Sequence, residues 1–65
     1  MLKLATMEAI LRNSGASRVS EDAKEAMQKV LEGMGEELGK KAVRFALHAG
    51  RKTVTKEDVM MASKQ

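Results

Sequence analysis

Residues 50–58 read Gly50-Arg51-Lys52-Thr53-Val54-Thr55-Lys56-Glu57-Asp58: a glycine, two basic residues, a lone valine between two threonines, then paired acids. Glycine ends helices because it adopts the left-handed conformation freely. Ser or Thr followed by acids starts them, since the hydroxyl caps a free N–H and the carboxylates suit the positive end of the helix dipole. The run therefore reads as the end of one helix, a short basic connection and the start of another. Thr55 is the expected N-cap and Asp58 closes a capping box in which aspartate replaces the usual glutamate. Residues 15–22, Gly15-Ala16-Ser17-Arg18-Val19-Ser20-Glu21-Asp22, repeat this grammar of glycine stop, basic residue, valine, hydroxyl cap and paired acids. Two similar junctions thus flank one middle helix, and their basic residues are candidates for gripping phosphate.

Working outward, Leu4, Met7, Ile10 and Leu11 fall at helical spacing and Asn13-Ser14-Gly15 stops them, which predicts a first helix of about ten residues. After Ser20, apolar positions from Ala23 through Met27, Val30, Leu31, Met34, Leu38, Ala42 and Phe45 to Ala49 keep a helical period up to Gly50. No proline interrupts them. A short third helix follows Thr55, with Val59 and Ala62 on its buried side. The fold class expected is all-α, a single domain over residues 1–65 with a short, a long and a short helix.

The middle helix raises a packing problem. About 28 residues rise roughly 40 Å, while each flanking helix of about ten residues rises about 15 Å. Two short helices cover its ends but not its middle, where Val30, Leu31, Met34, Leu38 and Ala42 would leave an apolar patch that monomers rarely expose. A second copy is the simplest cover, with those five residues as the dimer core. Gly33, Gly35 and Gly39 each cost about 1 kcal/mol of helix propensity relative to alanine, which fits a close helix crossing as compensation. Glu36, Glu37, Lys40 and Lys41 rule out reading this spacing as a membrane motif.

Composition narrows the function. The 65 residues hold no Cys and no Pro, so no disulfide framework or thiolate metal site is available, and the small size favours a partner chain. Lys3 and Glu8 interrupt the only apolar stretch near the start, so neither a signal-peptide core nor a membrane span is expected there. A cytoplasmic setting follows as an expectation. The net charge of +3 and pI near 9.5 favour an anionic partner. One His, no Cys, no phosphate-binding glycine loop and no clustered carboxylates leave nothing for nucleophilic or acid–base catalysis. No enzymatic activity, metal, cofactor or small-molecule substrate is expected.

With "SRVSEDA" at the first junction and "HAGRKTVTKEDV" at the second, in this order and separation, the chain from about Leu2 to Ala62 resembles the archaeal histones. The resemblance implies the histone fold, in which two chains clasp in a handshake dimer with their long helices crossing. It implies that Arg18-Val19 of one protomer lies beside Thr53-Val54 of the other. Lys52 and Thr53 would then contact phosphate oxygens, Arg18 would reach toward the minor groove, and Arg12 would touch backbone; Lys56 is grouped with them. Arg51 is implied to be a clamp on Asp58. Phe45, His48 and Asp58 match a contact between dimers, His48 hydrogen-bonding an Asp58 across it. Ala9 stands where several relatives carry a basic residue, and Lys3 and Thr6 replace prolines common near their first helix, which points to weaker DNA binding. Gly15 matches a glycine that permits stacking of dimers, whereas Gly33 replaces a charged residue that bridges successive turns in relatives.

The function expected is binding of double-stranded DNA without sequence preference, with bending and wrapping that compact the nucleoid, by a homodimer that joins into tetramers or longer assemblies. Two alternatives stay open: a histone-fold module that pairs with a different chain, and a histone that bridges or coats DNA without wrapping it.

Overall fold

The spacing of apolar residues, the glycine stops and the hydroxyl caps produce three helices in the computed structural model, which describes residues 2–65. They are α1 (Leu4–Asn13), α2 (Glu21–His48) and α3 (Lys56–Ser63), with no strand among the described residues. The order short, long, short is that of the histone fold. No described helix is long and apolar enough to cross a membrane.

Both junctions end their helix in the same way. At the end of α1, Gly15 takes φ 117°, its N–H donates to the Arg12 carbonyl at 3.0 Å, and the Ala16 N–H reaches back to Leu11 at 3.1 Å. At the end of α2, Gly50 takes φ 73°, its N–H donates to Leu47 at 2.9 Å, and the Arg51 N–H reaches Ala46 at 2.9 Å. Each is a Schellman motif, whose paired bonds satisfy carbonyls that the helix end would otherwise leave free. The next helix then starts on a hydroxyl. Ser20 Oγ accepts from the Ala23 N–H at 3.1 Å, and Thr55 with Asp58 forms a complete capping box.

Two compact units divide the chain, Met1–Gly33 and Met34–Gln65, with α2 contributing to each. In the first, Met7 is buried, and Glu8 links α1 to the start of α2 by accepting from Lys24 at 3.2 Å. The Gln28 side-chain amide donates to the Leu2 carbonyl in the same unit. In the second, Ala42, Ala46, Ala62 and Asp58 are buried. Three alanines and a methionine are a very small apolar interior for the described residues. Meanwhile Val30 and Met34 stand 59% and 62% exposed, and Leu47 63%. Of the five residues expected in a dimer core, Val30 and Met34 are exposed, Leu31 and Leu38 half-buried, and Ala42 already buried within its own unit.

Candidate nucleic-acid interface

At the second junction the Gly50 turn delivers Arg51 to the first turn of α3. Its guanidinium forks onto Asp58, Nη1 to Oδ2 and Nη2 to Oδ1, both at 2.8 Å, and Nη1 also donates to the Thr53 carbonyl at 3.1 Å. Asp58 Oδ2 accepts in addition from the Thr55 N–H at 2.8 Å and the Thr55 hydroxyl at 3.1 Å. The carboxylate is only 4% exposed and is saturated apart from spare capacity on Oδ1. Arg51, followed by the Thr55 backbone N–H, holds the Asp58 carboxyl far below the usual carboxylate range, and Asp58 in turn raises Arg51. A planar fork on a carboxylate fixes orientation as well as distance, so residues 51–55 are held as a shaped loop.

That geometry divides the cations of the loop into two kinds. Arg51 is spent on Asp58. Lys52, Thr53 and Lys56 are exposed, and neither lysine forms an ion pair among the described residues. Lys56 opens α3, where free N–H groups and the dipole favour an anion.

The first junction is braced differently. Arg12 Nε binds Glu8 at 2.9 Å, while its Nη1 donates to the Ser17 carbonyl at 3.1 Å. Arg12 is still half exposed, so it ties down the loop that carries Arg18 while keeping part of its guanidinium at the surface. Arg12, then Lys24, lowers the Glu8 carboxyl. Glu21, at 2.8 Å, and then Glu8 raise Lys24. Arg18 is exposed and unpaired among the described residues, at the rim of an open hollow of about 540 Å³ that Leu11, Val19 and Ala23 also line.

Phe45 and His48 come together near the end of α2, where they line a hollow of about 190 Å³ with Lys41, Arg44 and Gln65. Phe45 is half-buried and His48 exposed. The Glu8 links are absent from the sequence-based expectations. The Glu8–Arg12 pair is readable from its four-residue spacing, but the bond from Glu8 to Lys24 spans sixteen positions and leaves no local signal. The row of basic residues late in α2 is likewise legible as spacing, although no role was expected of it.

Residues 1–62 match the profile of a family described as "Histone-like transcription factor (CBF/NF-Y) and archaeal histone". The chain is 52% identical over 63 residues to an archaeal histone HAN1 subunit of Thermococcus zilligii, covering 97% of this chain and 94% of that protein. It is 44% identical over 61 residues to "Probable archaeal histone 3" of Methanocaldococcus jannaschii, covering 94% of this chain and 91% of the relative. With three helices in the order short, long, short and near full-length identity of this size, the chain belongs to the archaeal histone family.

Proposed function

We propose that this histone forms a homodimer that grips double-stranded DNA through its basic junction loops, bends it without reading base sequence, and wraps it by joining dimers. Family membership makes the chain a DNA-binding chromatin protein rather than an enzyme, and nucleoid association in the cytoplasm belongs to the same proposal. The observation that carries the loop assignment is the division of labour at residues 51–58: Arg51 is locked onto Asp58, which leaves Lys52 and Thr53 presented on a rigid turn. A rigid exposed cation binds phosphate without first being ordered. Arg18 and Lys56 add unpaired charge, and Arg12 reaches the backbone with the part of its guanidinium that Glu8 leaves free. No helix is offered to the major groove by these loops, so preference follows how easily the duplex bends.

Dimerisation is supported by the exposed middle of α2. Val30 and Met34, flanked by half-buried Leu31 and Leu38, need a cover that a single-domain chain of this size does not provide. A Cβ added at Gly33, Gly35 or Gly39 would meet nothing within 4 Å in the lone chain, so the space that glycine keeps open is available to a crossing helix. In the dimer, Arg18-Val19 of one protomer pairs with Thr53-Val54 of the other, and Phe45, His48 and Asp58 join dimers. The unsaturated Asp58 Oδ1 is the atom left to accept from His48 of the next dimer.

The test compares wild type with Lys52→Glu on relaxed circular DNA with topoisomerase, alongside binding at rising salt. Wild type should bind with a steep inverse dependence on salt and change the linking number, while Lys52→Glu should stay dimeric and lose affinity on every sequence. Undiminished binding by Lys52→Glu would remove the loop site; unchanged linking number with binding intact would replace wrapping by coating or bridging. A second reading, pairing with a different histone chain, is favoured by one observation: the Thermococcus zilligii relative is named as one chain of a multi-chain histone. A purified chain that neither dimerises nor binds DNA alone would favour it.

A further inference from the structure

Charge is unevenly distributed along this chain. Residues 34–65 carry seven basic and four acidic side chains, while residues 1–33 carry five of each, so the whole net charge of +3 lies in the second unit. The loop at residues 51–56 accounts for only part of it. On α2, Lys40, Lys41, Arg44 and His48 crowd the last turns. The neighbours of Arg44 three and four residues away on its helix are Lys41, Lys40, Leu47 and His48, with no carboxylate among them. Like charges at these spacings repel.

The nearby acids do not neutralise this face. Glu37, one turn before Lys41, is drawn to Lys40 at 3.8 Å. Asp58 is consumed by Arg51, and Glu57 also acts on Arg51. Lys41 Nζ has only a long contact, 3.5 Å, to the Gln65 carbonyl. Between these groups lies the hollow of about 190 Å³, edged by Lys41, Arg44 and His48, with Phe45 and Gln65 as its other walls and no acid in its lining. Its volume accommodates a phosphate group, and its donors come from two cations and an imidazole.

We propose that Lys41, Arg44 and His48 form a second phosphate site, which takes the backbone of a second DNA duplex. The inference rests on the DNA-binding reading above and adds a surface that the loops do not use. The spacing supports a nucleic acid: Lys41 to His48 rises about 10 Å along α2, the axial length over which one DNA strand presents about three phosphates. Phe45 and His48 also belong to the face proposed to join dimers. One face therefore meets either another dimer or a second duplex, and the occupant sets whether DNA is wrapped or bridged.

The experiment immobilises one duplex, saturates it with protein and measures capture of a second, labelled duplex. The variant is Lys41→Gln with Arg44→Gln, which keeps good helix formers at exposed or half-exposed positions, and dimer size is checked by sedimentation. Binding of the first duplex should change less than about threefold, while capture of the second should fall at least about tenfold. The salt slope of capture should flatten by about 0.9 for each contact removed. Restoring charge with Lys41→Arg and Arg44→Lys should restore capture. Unchanged capture by the glutamine variant, or no capture by wild type already bound to the first duplex, overturns the site. Lys52→Glu run in parallel separates the readings: retained first-duplex binding there sinks the loop assignment, while capture still reports on Lys41 and Arg44. Capture of polyglutamate in preference to duplex would overturn the choice of DNA as occupant.

Discussion

Replacing Met34 with glutamine separates a lone chain from a dimer because the two make opposite demands on the same side chain. Methionine and glutamine have similar helix propensities and similar length, so α2 itself should not register the change. In the single chain Met34 is 62% exposed, and an exposed substitution of this kind stays within about 0.5 kcal/mol. In a dimer that crosses at mid-α2, the exposed part is covered in both copies. Full burial of a methionine is worth about 1.5–3 kcal/mol, so covering the remaining 62% is worth about 1–2 kcal/mol per copy, or about 2–4 kcal/mol per dimer. Desolvating two amides adds to the loss. Dimer dissociation constants should rise about thirty- to a thousand-fold. Sedimentation equilibrium measures this directly, and thermal unfolding should become more sensitive to protein concentration. A dissociation constant within threefold of wild type, or a wild-type midpoint independent of concentration, would refute the assignment of Met34 and its neighbours to a dimer core.

Glycine substitutions should divide by backbone conformation: Gly33→Ala, in helical backbone with open space around it, should raise helix stability by up to about 1 kcal/mol, whereas Gly50→Ala, at φ 73°, should cost about 1–2 kcal/mol. Gly39→Ala should weaken dimerisation in sedimentation despite its better propensity, and a tighter dimer would exclude a close crossing there. Arg51→Ala should lower the unfolding temperature and blunt its acid dependence. Asp58 is held below its ordinary value in the folded chain, so its contribution is present above about pH 4 and is lost as pH falls toward the lowered folded value. An acid limb identical to wild type would count against the clamp.

Much of the architecture is written locally. Gly15 and Gly50 mark the helix ends because no other residue takes positive φ without strain, and Ser20, Thr55 and Asp58 mark the starts because short polar side chains reach free N–H groups within three residues. Bounds expected near Leu4, Asn13 and Gly50 agree with α1 and with the end of α2 at His48 for this reason. The wide apolar arc of α2 likewise announced a surface that short helices fail to cover. The resemblance, not the spacing, pointed to Arg51 as a clamp, since nothing in a run of Arg51, Lys52 and Lys56 distinguishes one cation from another before the chain turns.

Local rules reach three or four residues, and the remaining features depend on longer distances. Only folding brings Lys24 to Glu8 and points Arg12 at the Ser17 carbonyl, which turns a candidate phosphate contact into a brace for the loop of Arg18. Folding alone assigns Arg51 to Asp58 and leaves Lys52 free, because a charge is spent or available according to what lies within hydrogen-bond distance, and residue type does not encode that. The hollow beside Arg44 follows the same logic. Its basic residues are a spacing on a helix until Phe45 and Gln65 wall them into a place where a phosphate fits.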